Sequence, residues 1–270
     1  MALSVLESKK FSNNGESTNY ELTLNHPSGT VCSELDAASS AATPDIDICT
    51  DEPILDEVVR AEKKLKNDSA AGCDDIPPEL PKCALPHVAQ ALHSLFQRVW
   101  RSGRVPAEWK DGIIVSLYKG KGPKNECSSY RTISLLSVPG KVFSHVLLER
   151  IQPLLQMTQR PQQSGCTAGR STINATLALR LLSELHQQFS LPFYVAFVDI
   201  KSVFDSVDRN ALWEALHARG IPDILLNLIE DLHTHTSATV RIGNKFSHRL
   251  STTSGVRQGC VLACTVSCGQ

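Results

Sequence analysis

Residues 193–208 read FYVAFVDIKSVFDSVD, and the fold turns on how they are taken. Tyr194-Val195-Ala196-Phe197-Val198 is an apolar run of the aromatic and β-branched residues typical of a buried strand. Asp199 follows, and after Ile200 the pattern turns polar toward a helix. A carboxylate at the end of a buried strand is costly unless a cation faces it, so an Arg, a Lys or a metal ion is expected there. Asp205 and Asp208 place three acids within ten residues. A plain strand end with Asp208 capping the next helix explains the same residues equally simply.

Outward from this stretch, the chain alternates helical periods with short apolar runs. Leu85, Val88, Ala89, Leu92, Leu95, Phe96, Val99 and Trp100 follow the i, i+3, i+4, i+7 rule, and Gly103 stops them. Ile54 to Leu65 is a shorter amphipathic helix, followed by a Gly- and Pro-containing loop around residues 70–79. Gly112 to Lys119 predicts a strand running into the cationic loop Lys119-Gly120-Lys121-Gly122-Pro123-Lys124. That loop suits close approach to phosphates, or is simply a flexible surface loop. Tyr130 to Leu136 is another apolar run. A helix from about Pro139 presents Val142, Phe143, Val146, Leu147, Ile151, Leu154 and Leu155, and Pro153 is expected to kink or end it. A helix capped by Ser171 or Thr172 runs to about Phe189 on Ile173, Leu177, Leu181, Leu182 and Leu185. Arg209–Arg219 and the stretch from Pro222 to Leu232 predict two more helices, and residues 239–246 a hairpin. The His233-Thr234-His235 triplet reads as an exposed helix end.

Charge is uneven although the net is −1. Residues 1–52 carry nine acids and two bases, residues 96–170 twelve bases and four acids, and residues 171–270 eight of each. The acidic, Ser/Thr/Asn-rich residues 1–52 lack a period and are expected to be disordered. The basic middle is the pattern of a phosphate-binding surface or of a solvated helix face. No apolar run reaches the roughly 18 residues of a membrane span. MALSVLESKK has no signal-peptide pattern, so an intracellular protein, nuclear or cytoplasmic, is expected. Nine scattered cysteines then read as reduced thiols. Cys260, Cys264 and Cys268, with His248 or His235, form a weak zinc candidate, because structural zinc sites favour tighter pairs.

AAGCDDIPPEL, GRVPAEWKDGIIVSLYKGKGPKNECSSYRTISLLSVPGKVF, QQSGCTAGRSTINATLALR, FYVAFVDIKSVFDSVDR and SGVRQGC occur in that order. Together they resemble the reverse transcriptase domain of non-LTR (LINE-type) retrotransposons over roughly residues 53–262. The resemblance implies an α+β, helix-rich, partial right-hand polymerase fold, with a fingers-like region at 53–190 and an incomplete palm at 191–270. It implies an RNA template, a DNA primer and deoxynucleotides as ligands, and Mg²⁺ as the ion that clamps the attacking and leaving oxygens. No protein partner can be inferred.

By the same resemblance Asp199 is the first catalytic metal ligand, with the Ile200 carbonyl beside it. Phe204 matches the bulky residue beneath the incoming sugar. Lys119 and Arg131 match the cations that neutralise the triphosphate. Gln258 and Gly259 match the segment beside the nucleotide and template base. The family's Ala-Asp-Asp motif, its other two carboxylates, occurs nowhere in the 270 residues. Cys166 replaces a usual aromatic residue and Asp75 a usual Gly. The sequence therefore reads as a truncated or decayed copy, inactive as it stands. The alternatives are a non-catalytic nucleic-acid-binding remnant and a poorly folding decayed open reading frame.

Overall fold

The computed structural model describes residue 25 and residues 46–83, 86–124, 126, 129–167, 169–200, 202–243 and 245–263. The elements are α1 (Leu55–Lys63), α2 (Glu79–Cys83), α3 (His87–Ser102), a 3₁₀ turn at Ala107–Trp109, β1 (Asp111–Tyr118), β2 (Tyr130–Leu136), α4 (Val138–Thr158), α5 (Thr172–Gln188), α6 (Arg209–Ala218), α7 (Asp223–His233), β3 (Thr236–Ile242), β4 (Lys245–Phe246) and β5 (Leu250–Thr252). Helix-rich α+β is thus the class that the resemblance implies.

β1 is the centre of the sheet. It pairs antiparallel with β2, placing Leu117 opposite Arg131 and Tyr118 opposite Tyr130. On its other edge it pairs parallel with β3, from Asp111 opposite Ser237 to Val115 opposite Arg241. β4 and β5 both pair antiparallel with β3, at its two ends. The predicted hairpin at 239–246 is the β3–β4 turn.

The main core lies among α1, α3, α4, α6, α7 and residues 256–263. Phe96, Trp100, Trp109 and Phe143 meet there edge-on or tilted, with centroids 5.1–6.3 Å apart, geometry that the ring quadrupoles favour. α3 ends at Gly103, whose N–H donates to Val99 O from a left-handed conformation. α4 begins with Ser137 accepting from Gly140 N, and it continues through Pro153 to Thr158. Pro153 therefore does not end the helix, because the packed face of Ile151, Leu154 and Leu155 holds the turns on either side.

Most of residues 1–52 lies outside the described residues. Residues 46–52 are described, and they pack on the helices. Ile48 is in the core, Thr50 O accepts from the Trp100 indole (2.9 Å), and Glu52 pairs with Arg101. Arg150 holds this segment in place. Its guanidinium makes two 2.8 Å bonds to the Glu57 carboxylate, donates to Cys49 O and Asp51 O, and stacks 4.7 Å from the Trp100 ring. Losing one member of a buried, forked ion pair costs about 3–5 kcal/mol. Arg150→Ala should lower the free energy of denaturant unfolding by that amount, whereas Arg98→Ala, outside the network, should change it little.

Two expectations change. Residues 191–200, which contain the predicted Tyr194–Val198 strand, have no regular secondary structure. Tyr194 is 89% exposed, and Phe197 and Val198 86% each. A strand exists only where a neighbour takes up its N–H and C=O groups. Both edges of β1 and of β3 are occupied, and the free edge of β2 is met at Ser134, whose N–H donates to Gln258 O (2.7 Å). α5 forms as predicted, but none of its residues is buried, and its leucines, like Phe197 and Val198, are exposed.

Glu62 is fully buried in α1 with both carboxylate oxygens unpartnered among the described residues. Burial raises its pKa to about 7. The folded state then holds a proton that the unfolded chain releases near pH 4.5, so this group costs stability as pH rises through 7. Removing it with Glu62→Met should stabilise the protein more at pH 8 than at pH 5, by about 2.5 kcal/mol in denaturant unfolding.

Candidate functional site

The predicted site residues fall on two structural units that meet at Ser134 and on the 191–200 segment, and a third unit supports the second. The first is the β1–β2 hairpin. Lys119 lies at its open end, its N–H donating to Ser129 O (2.9 Å), and Arg131 sits opposite Leu117. Both side chains are exposed. The loop between the strands is pinned at its ends by aromatic hydroxyls. Tyr118 donates to Gly122 O (2.7 Å) and Tyr130 to Lys124 O (2.9 Å), while the Lys124 ammonium lies 5.6 Å from the Tyr118 ring centroid. Lysines on a loop tied down in this way form a cationic rim of defined shape, which fits phosphate contact better than a free loop would.

The second unit is the loop 253–259, SGVRQG with Thr253 before it. Gly255 N donates to Val207 O (2.8 Å), Val256 N to Phe204 O (2.7 Å), and the Ser254 hydroxyl to Asp205 O (3.2 Å). Ser134 N on β2 donates to Gln258 O. These bonds bring Phe204, Gln258 and Gly259 beside β2. Two glycines allow the approach. A Cβ on Gly255 would come within 2.6 Å of Asp205 O, and one on Gly259 within 2.4 Å of Ser134 O. Both have φ in the left-handed region, at +72° and +122°. A shallow cleft bounded by Thr132, Ser134, Asp205, Arg209, Ser254 and Gln258 opens between the loop and the sheet.

The third unit supports the second and was not singled out from the sequence. Arg209 Nε donates to Gly255 O (2.9 Å), Nη1 to His233 O (2.5 Å) and Thr252 O (3.2 Å), and Nη2 to Thr236 Oγ1 (3.2 Å) and Ser254 O (3.1 Å). Arg257 donates to Trp109 O, Lys110 O and Leu232 O, at 3.0–3.2 Å. Burial lowers both guanidinium pKa values, Arg209 to about 10, so Arg209 remains charged at neutral pH. The only sequence signal was their position, Arg209 directly after a helix-capping Asp and Arg257 between Val256 and a Gly-flanked Gln.

His233 lies against these arginines and is buried, not exposed as its polar triplet suggested. Nδ1 lies 2.8 Å from Ile229 O, Trp213 packs 5.5 Å away centroid to centroid, and Nε2 is buried without a partner among the described residues. A helix end is exposed only where nothing packs on it, and here Trp213 and β3 cover it. Burial, then the Arg257 and Arg209 charges, push its pKa to about 3.

Asp199 and Ile200 are exposed on the irregular 191–200 segment. The divalent ion implied by the resemblance needs several oxygen ligands. Among the described residues no group of three or more His, Cys, Asp or Glu is placed to hold a metal. The residues present do not fit that ion. Cys260 is buried, and Cys264 and Cys268 of the zinc candidate lie outside the described residues. Asp208 caps α6, accepting from Asn210 N (2.9 Å) and Ala211 N (3.4 Å). Asp75, in place of the usual Gly, adopts φ +52°, a left-handed conformation that Gly and Asp tolerate better than most residues.

The family model for reverse transcriptase (RNA-dependent DNA polymerase) matches residues 122–268. The chain is 34% identical over 166 residues, 61% of its length, to a 115 kDa protein in the type-1 retrotransposable element R1DM of Drosophila melanogaster. It is 29% identical over 86% of its length to a protein described as the probable RNA-directed DNA polymerase of transposon X-element, and 27% over 78% to the RNA-directed DNA polymerase from mobile element jockey, both of Drosophila melanogaster. It spans 16%, 26% and 23% of these curated relatives. Among the described residues no helix is long and apolar enough to cross a membrane.

Two measurements check this geometry. Gly259→Ala should cost about 2–4 kcal/mol in denaturant unfolding, because the methyl must displace the Ser134 carbonyl from a positive φ. His233 is neutral when folded and titrates near pH 6.5 when unfolded, so its contribution is lost as pH falls below 6.5 toward 3. Between pH 8 and pH 5 the wild type should lose about 2 kcal/mol more than His233→Gln.

Proposed function

The chain belongs to the reverse transcriptase family, with the non-LTR retrotransposon polymerases among its relatives, and we propose that as a 270-residue polypeptide it holds a template–primer without copying it. The observation that carries this reading is the tied β1–β2 hairpin. It presents Lys119, Lys121, Lys124 and Arg131 at one end and meets the Gln258–Gly259 loop at Ser134. A primer end lying over that junction has phosphates within reach of the hairpin cations. Phe204 and Gln258 would flank the base and sugar there.

Synthesis needs charge stabilisation on the attacking and leaving oxygens, which this family supplies with metal-bound carboxylates. Asp199 is the one acid that matches them, and one exposed carboxylate does not hold two ions. Binding by the basic hairpin is independent of that deficit, because phosphate neutralisation requires only cations.

The test has two parts. Labelled RNA–DNA template–primer should bind the full chain with an affinity that falls steeply with salt, the slope dropping by about one in Lys119→Ala and again in Arg131→Ala. Primer extension with deoxynucleotides and Mg²⁺ should give no product. Metal-dependent synthesis would refute the non-catalytic reading, and binding insensitive to salt would refute the interface.

A further inference from the structure

The loop that carries Gln258 and Gly259 has little of its own to hold it. Residues 253–259 contain no helix or strand, two glycines in left-handed conformations, and no carboxylate. Its shape is imposed from outside. Arg209 takes Gly255 O and Ser254 O within the loop, Thr252 O at the end of β5, and His233 O and Thr236 Oγ1 at the α7–β3 junction. Arg257 reaches the other way, to Trp109 O and Lys110 O before β1 and to Leu232 O at the end of α7. Among the described residues these two guanidiniums donate to carbonyls and one hydroxyl, and Arg257 Nε is buried without a partner. An ordinary structural arginine in this fold looks different: Arg150 pairs with Glu57 and Arg101 with Glu52.

This use of charge has a physical reason. α7 ends with carbonyls that have no helical partner, and β5 and the loop deliver more carbonyls to the same place. A planar guanidinium offers five donors in a fixed fork, so one side chain can fix several chain segments at once. An ammonium has three donors on a flexible stem and cannot span the same set.

We infer that Arg209 and Arg257 are positioning residues that set where Gln258 and Gly259 sit relative to β2, and so tune template–primer binding without touching it. The inference rests on the template–primer reading for its ligand, although the placement of the loop can be measured without any ligand. Arg209→Lys keeps the charge and removes the fork. Arg257→Lys does the same from the other side and serves if the first variant does not fold.

The experiment uses the full chain with a fluorescein-labelled RNA–DNA template–primer across a salt series, together with amide exchange of residues 254–260 in the free protein. Arg209→Lys should bind roughly three- to tenfold more weakly at temperatures where it is folded. The slope of log affinity against log salt should equal that of the wild type, because no phosphate contact is lost. Exchange of residues 254–260 should quicken while the aromatic core around Phe96 and Phe143 stays protected. A merely structural role would lower the melting temperature and leave the folded protein's affinity intact, which overturns the inference. A salt slope reduced by about one would make Arg209 a phosphate contact and overturn it as well. If the wild type does not bind, the template–primer reading fails by itself. Unchanged exchange at 254–260 would then still overturn the positioning role, and faster exchange would support it.

Discussion

Carbonyl groups without partners converge where α7 ends, β3 begins and β5 runs into the 253–259 loop. Everything that faces the candidate interface depends on their being satisfied. Buried carbonyls left without donors would cost on the order of 1–3 kcal/mol each. Arg209 and Arg257 take up Leu232, His233, Thr252, Ser254 and Gly255, and they tie these to Trp109 and Lys110 at the start of the sheet. The arrangement also explains the neighbouring groups. His233 must stay neutral between two cations, and Asp231 just before it holds Lys110 and the Val105 amide, at 2.7 Å each.

The packing of α1, α3 and α4 is held by different means. There the core is aromatic and aliphatic, and a single forked ion pair, Arg150 with Glu57, anchors residues 49–51 to α1 and α4. The two halves share α6 and α7, whose leucines enter the same cluster as Phe96 and Phe143. A hydrophobic cluster of that extent gives the hairpin and the loop a rigid base, whereas α5 and residues 191–200 extend from it with their apolar side chains exposed.

Much of this was legible in the sequence because it depends on local period. α1, α3, α4, α6 and α7 lie where apolar spacing placed them, and Gly103, Ser137 and Asp208 act as the stop and caps that their types suggest. β1 lies where its apolar run placed it, whereas residues 130–136 read only as a second apolar run, and their antiparallel pairing with β1 is a finding of the structure. What escaped is non-local. Tyr194–Val198 has every compositional mark of a buried strand, yet a strand is completed by its neighbours, and none of the described strands pairs with it. His233 sits in a polar triplet that gives no hint of Trp213 closing over it. Arg257 belongs to the SGVRQGC motif and Arg209 follows a capping Asp, but nothing in the sequence shows that their partners are carbonyls far along the chain. The resemblance named Lys119, Arg131, Phe204, Gln258 and Gly259, and the structure places Phe204, Gln258 and Gly259 around β2. It leaves Asp199 and Ile200 outside that grouping.

In the function proposed above, nucleic acid lies across the β1–β2 hairpin and the adjoining loop. A hydrogen-exchange footprint of the full chain, with and without an RNA–DNA template–primer, tests it most directly. Slower exchange in the segments around Lys119, Arg131 and Gln258, with α5 and residues 191–200 unaffected, is the predicted result. Protection confined to α5 and residues 191–200, with the hairpin unchanged, would contradict it.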